Sequence, residues 1–182
     1  MSKVRKNNIM NTKRWLQKYG ISNFYICDNG VVDVADSVSL RNYKASAEFP
    51  IQFGKVTGNF DMGLAYVKTL KGVPTYIGGD FDCSNTGIMS MSGIDKLIRH
   101  VSGSFNCASF FNQGDPSFRN TGVTHVLGIL LIEGVTHIRV DSSRGSLKGP
   151  VDKIMNKYLG TGDIISCQDE LIDAGFILQA RL

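Results

Sequence analysis

Three short segments of this chain repeat one pattern in register: Val56-Thr57-Gly58-Asn59-Phe60-Asp61-Met62, Ile77-Gly78-Gly79-Asp80-Phe81-Asp82-Cys83 and Val101-Ser102-Gly103-Ser104-Phe105-Asn106-Cys107. The steps between them are 21 and 24 residues. The connectors match as well, Leu70-Lys71-Gly72-Val73-Pro74 against Met91-Ser92-Gly93-Ile94. A fainter copy runs from Val38-Ser39-Leu40 to Phe49-Pro50. Self-similarity at a period of 20–50 residues marks stacked repeats, each unable to bury its apolar face alone.

Within each unit apolar and polar residues alternate, the period-two signature of a strand with one buried face. A step of 21 to 24 residues supplies one circuit of a solenoid, so the strands are expected to stack in parallel roughly 4.8 Å apart. Phe60, Phe81 and Phe105 then form one inward row, and Met62, Cys83 and Cys107 the next. Gly58, Gly79 and Gly103 share the inward parity, where the absence of Cβ admits close backbone approach.

The flanks read as caps. Asn11 or Thr12 can open a short helix running to Lys18, with Gly20 as its left-handed terminator. Asp28-Asn29-Gly30 is a hairpin turn between Phe24–Cys27 and Val31–Val34. Beyond the repeats, 124–132 reads as a buried segment and 137–140 as a strand. Pro150 opens a helix to Tyr158, and Asp163 caps another to Ala174, followed by Gly175. The expected organisation is one compact unit in three parts: a basic arm, helix and hairpin in 1–50, the solenoid in 51–110, and a helical C-terminal cap in 111–182. The polar segment 111–123 is the expected junction.

The strings FGKVTGNFDM, LKGVPTYIGGDFDCSN and VSGSFNC, with VLGILLIEGVTHIRVD, KIMNKYLGTGD and CQDELIDAG behind them, resemble the leucine-rich-repeat-like modules of large phages and bacteria. The likeness spans the chain from about Trp15 to its end. It implies an α+β fold, a short parallel-β solenoid capped by helices at both ends, with a curved recognition surface and a phage or bacterial origin. It transfers no activity. Met62 stands where the pattern has Cys, and only Asn85 matches its turn asparagine, without an equivalent at Leu64 or Ser109.

Charge is unevenly spread. Residues 1–18 hold six basic side chains and no acidic one, while the remainder sums to 14 basic and 16 acidic, or −2. Such an arm is able to touch nucleic acid or an anionic surface, or simply to be solvated. No apolar run approaches the roughly 20 residues of a membrane span, and the N-terminus has no apolar signal region. A reducing cytoplasm is therefore the expected compartment, the host's if the chain is viral. Cys27, Cys83, Cys107 and Cys167 have no C-x-x-C or zinc spacing and are expected as reduced thiols. No cofactor or metal motif is present, and the Gly72–Gly87 run enters a strand rather than opening a helix, unlike a phosphate cradle.

The candidate site is the row alternating with the buried ladder: Asn59 and Asp61, Asp80 and Asp82, Ser104 and Asn106. Stacking crowds Asp61, Asp80 and Asp82, and like charges side by side favour a basic partner or a cation; a merely solvated face is the alternative. The expected function is a non-enzymatic binding protein, phage-encoded, engaging a host or viral macromolecule, a protein first, with a host-defence inhibitor or host-takeover factor in view. A structural virion protein and an enzyme with a C-terminal site at His125, Arg139 or Asp141 stay open beside it.

Overall fold

Each copy of the repeat folds as two short strands bent at its glycine, where the sequence pattern reads as one. The computed structural model describes residues 3–108, 123–141 and 149–182, with side chains from Asn8 onward; the expected junction lies, apart from Val123, outside them. After helix α1 (Lys3–Lys18) come β1 (Phe24–Ile26), β2 (Val32–Val34), β3 (Val38–Ser39), β4 (Phe53–Val56), β5 (Phe60–Asp61), β6 (Tyr76–Ile77) and β7 (Phe81–Asp82). The short helix α2 (Ile94–Leu97) precedes β8 (His100–Val101) and β9 (Ser104–Asn106). A 3-10 helix (Leu127–Leu131), β10 (His137–Arg139), α3 (Pro150–Tyr158) and α4 (Ile164–Asp173) complete the order.

The strands form two sheets, ordered β1-β2-β4-β6-β8 and β3-β5-β7-β9-β10. Every pairing is parallel except the β1–β2 hairpin. The fold is an α+β, short parallel β-solenoid with helices at its N-terminal start and its C-terminal end. In the second sheet Val38, Phe60, Phe81, Phe105 and Ile138 stand in one register column, all buried. Val34, Val56, Ile77 and Val101 form the matching column of the first sheet. The Phe60 and Phe81 rings stack at 6.2 Å, and Phe81 meets Phe105 tilted at 4.9 Å. Met62, Cys83 and Cys107 are buried beneath them, and all four cysteines are free thiols.

The bend has a steric and a polar cause. Asn59 N–H donates to Ser37 Oγ (3.0 Å), Asp80 N–H to Asn59 Oδ1 (2.9 Å), and Ser104 N–H to Asp80 Oδ1 (2.7 Å). One side chain per rung thus reaches up and satisfies the corner amide of the next. The space it occupies is where a Cβ on Gly58, Gly79 or Gly103 would sit. The repeat glycine is required by the neighbouring rung, by its side chain at all three positions and at Gly58 also by the Ser37 backbone, not by its own dihedral angle.

The helices at both ends are terminated by backbone turns, with one side-chain cap. At the end of α1, Ile21 N–H bonds Leu16 C=O and Gly20 N–H bonds Gln17 C=O, with Gly20 at φ 72°. This is the Schellman arrangement, sealed by the buried Leu16 and Ile21. Gly175 ends α4 in the same way, and Asp163 Oδ1 caps its start by accepting from Ser166 N–H. Helix α1 begins earlier than its sequence signals suggest, at Lys3.

At the C-terminal end α3 takes the place of a missing strand. Asn156 accepts from Ile138 N–H (2.9 Å) and donates to Ile138 C=O (2.7 Å). Asp152, 2% exposed, accepts from Val140 N–H (2.6 Å) and Asp141 N–H (2.9 Å). Asp141 in return accepts from Val151 and Asp152 N–H at the start of α3 (2.8 and 3.2 Å). The outer edge of β10 is thereby paired.

Candidate functional site

The six residues singled out from the sequence divide into two groups. Asn59, Asp80 and Ser104 lie at the corner; the side chains of Asn59 and Asp80 hold the ladder together, and Ser104 receives its last bond. Asp61, Asp82 and Asn106 lie in one register column on the outward face of the second sheet, between Ser39 and Arg139. Each of the three accepts from the backbone N–H two residues on: Asp61 from Gly63 (2.9 Å), Asp82 from Ser84 (2.8 Å), Asn106 from Ala108 (3.2 Å). Short side chains recur here because they turn the chain out of the strand, an Asx-type turn on successive rungs.

The charge of this row is answered within the chain. Arg41, from the rung below, places its Nη1 3.2 and 3.1 Å from the two carboxylate oxygens of Asp61 and 3.9 Å from Asp82. The Asp61 hydrogen bond raises the guanidinium pKa further. Arg41 and both acids remain partly exposed, 44%, 30% and 27% of their side chains. Sequence reading missed Arg41 because the preceding rung is the faintest copy of the repeat. The row is therefore an acid–arginine lattice rather than a bare acidic patch.

The turn that follows the row is the less expected feature. Leu64 and Asn85 occupy equivalent places on successive rungs, and both adopt left-handed backbone, φ 64° and 55°. Asparagine tolerates that conformation; for leucine it costs about 1 kcal/mol or more. Leu64 is nevertheless 54% exposed. Tyr66 and Met89 are exposed to 55% and 54%. With Lys44, Ala65, Asn85, Thr86 and Gly87 they line an open groove of about 620 Å3. Lys68 lies over the Tyr66 ring, its Nζ 5.8 Å from the centroid. The signal available in the sequence was Leu64 itself, an apolar residue standing where the pattern has a turn asparagine.

The other residues considered for chemistry are held in structural roles or stand apart from the groove lining. Asp141 is a cap for α3, and its pKa is raised by burial and by the neighbouring Asp152. His125, at φ 57°, has its Nδ1 2.8 Å from Thr124 Oγ1 and 3.2 Å from Ser90 Oγ. His100 lies on β8 and stacks on Tyr76 at 4.6 Å with the rings 5° apart. Burial drives the pKa of Cys83 and Cys107 well above the ordinary thiol range, and that of Cys167 to about 11. Among the described residues no group of three or more His, Cys, Asp or Glu could hold a metal ion, and no helix is long and apolar enough to cross a membrane. In comparisons of the whole chain, no family model, no curated protein and no solved structure matches it.

Proposed function

We propose that this chain is a non-enzymatic binding protein that engages a protein partner through the outward face of its second sheet and the adjoining Leu64–Tyr66–Met89 groove. Leu64 carries the reading. A leucine held in left-handed backbone with more than half its surface in solvent lowers stability twice over, where asparagine one rung on avoids both terms. Strained conformations persist only where the surrounding structure holds them, and they cluster at functional sites. Large apolar side chains grouped in a groove and rimmed by polar groups are the usual makings of a recognition patch. Asp61, Asp82 and Arg41 beside it add charge that steers and orients a partner.

The resemblance to phage modules supplies the proposed setting: a phage-encoded protein in the host cytoplasm, acting on a host-defence or host-takeover target. The test is retention of a partner from an extract of bacterial cells by immobilised protein. Leu64→Asn should raise the urea midpoint, by relief of about 1 kcal/mol, and yet lose the partner. Replacing Asp61, Asp80 and Asp82 together by Asn should keep the fold, since Asn59 already plays the Asp80 role one rung down, and should slow association. Undiminished retention by both variants would refute this reading.

A further inference from the structure

We propose that the open edge of β1, beside helix α1, takes an extended acidic segment of another protein as an added strand. The strand is the outermost of its sheet. Across the hairpin, Cys27 N–H bonds Val31 C=O and Ala35 N–H bonds Asn23 C=O, at either end of the β1–β2 pairing. The alternation of an antiparallel pair then directs Tyr25 inward to Asp33 and turns the N–H and C=O groups of Phe24 and Ile26 outward. No strand among the described residues pairs with them. At the opposite end of the molecule the last strand, β10, is covered by Asn156 and Asp152. The two ends are thus finished differently, and β1 keeps the donor–acceptor row that invites another strand.

What faces this edge selects the occupant. A groove of about 520 Å3 separates it from α1 and is lined by Ile9, Lys13, Gln17, Ser22, Phe24, Tyr25 and Ile26. Ile9 and the β1 residues give it an apolar floor, with Tyr25 65% exposed. Lys13 is the one charged side chain among the lining residues. The helix sequence holds six basic residues and no acidic one. A second copy added edge to edge would bring two such helices together, so like-charge repulsion disfavours it. A nucleic acid would answer the charge but not the alternating amide and carbonyl row, which an extended peptide matches group for group. An acidic, partly apolar strand answers both.

The test uses the full chain, labelled with 15N, and an acetylated ten-residue peptide of alternating Glu and Val, with its Lys–Val counterpart. The Glu–Val peptide should bind, with the largest amide shifts and new exchange protection at Phe24 and Ile26, while Tyr25, already paired, changes little. The Lys–Val peptide should bind at least tenfold more weakly, and Lys13→Glu, an exposed substitution, should weaken Glu–Val binding at least tenfold. N-methylation of one alternate set of peptide amides should abolish binding and that of the other set should leave it, a readout independent of any protein variant. Absence of Glu–Val binding at millimolar concentration, equal binding of the two peptides, or shifts located elsewhere would overturn the proposal. So would a single-stranded oligonucleotide that shifts the same amides and outcompetes the peptide.

Discussion

Gly79→Ala tests the corner on which the solenoid turns. The new methyl group would fall on Asn59 Oδ1, well inside contact distance, and 3.1 Å from both Asn59 N and Gly58 C. The Asn59 amide can swing away only by releasing the Asp80 N–H it now accepts at 2.9 Å. Overpacking of this kind costs about 1–3 kcal/mol, and the lost hydrogen bond about 0.5–1.5 kcal/mol. A total near 2–4 kcal/mol is a large part of the roughly 5–15 kcal/mol that holds a domain of this size. Urea denaturation followed by circular dichroism should show the midpoint falling with the slope unchanged. The double variant Asn59→Ala, Gly79→Ala removes the obstructing carboxamide, so it should be less destabilised than the sum of its parts by about 1–2 kcal/mol. Additivity within about 0.5 kcal/mol, or a Gly79→Ala protein as stable as the parent, would refute the claim that one rung's side chain dictates the next rung's glycine.

Phe81→Ala should cost about 3–5 kcal/mol, because the ring is fully buried between Phe60 and Phe105; an unchanged melting temperature would contradict the register. Cys83 and Cys107 should resist thiol reagents in the native state and react after unfolding, since burial keeps both protonated; fast native labelling would count against the packing described. Asp141 holds its proton more tightly folded than unfolded, as its pKa is raised above the ordinary 3.8. Its contribution to stability should therefore be greatest below that value and decline as pH rises through the raised one. In urea midpoints measured across the acid range, the parent should lose ground to Asp141→Asn over that window; a parallel pair of curves would refute the assignment.

Much of the solenoid was legible in the chain because its determinants recur at fixed chain spacing. The columns of Phe60, Phe81 and Phe105 and of Met62, Cys83 and Cys107 follow from alternation within a unit and a constant step between units. The hairpin turn, the Gly20 and Gly175 terminators and the Asp163 cap follow from local dihedral and hydrogen-bond preferences. The candidate row on the strand face was half legible. Its register could be counted, but alternation alone places Asn59 and Asp61 on one face, whereas the bend at Gly58 puts the first at the corner and the second on the sheet.

Stacking decided the rest, since it depends on which distant segments become neighbours. Arg41 meets Asp61 and Asp82 because the first, degenerate rung still pairs in register through Val38 and Phe60. Asp152 and Asn156 close β10 only because α3 folds back along its edge. Leu64 becomes a surface feature only when the left-handed turn is seen to continue through it from Asn85 and to bring it beside Tyr66 and Met89. Periodicity specifies which side chains face inward, since each unit must bury the same stripe against the next. What lies opposite an outward side chain is set by the three-dimensional path of the backbone, and no single unit of the repeat encodes it.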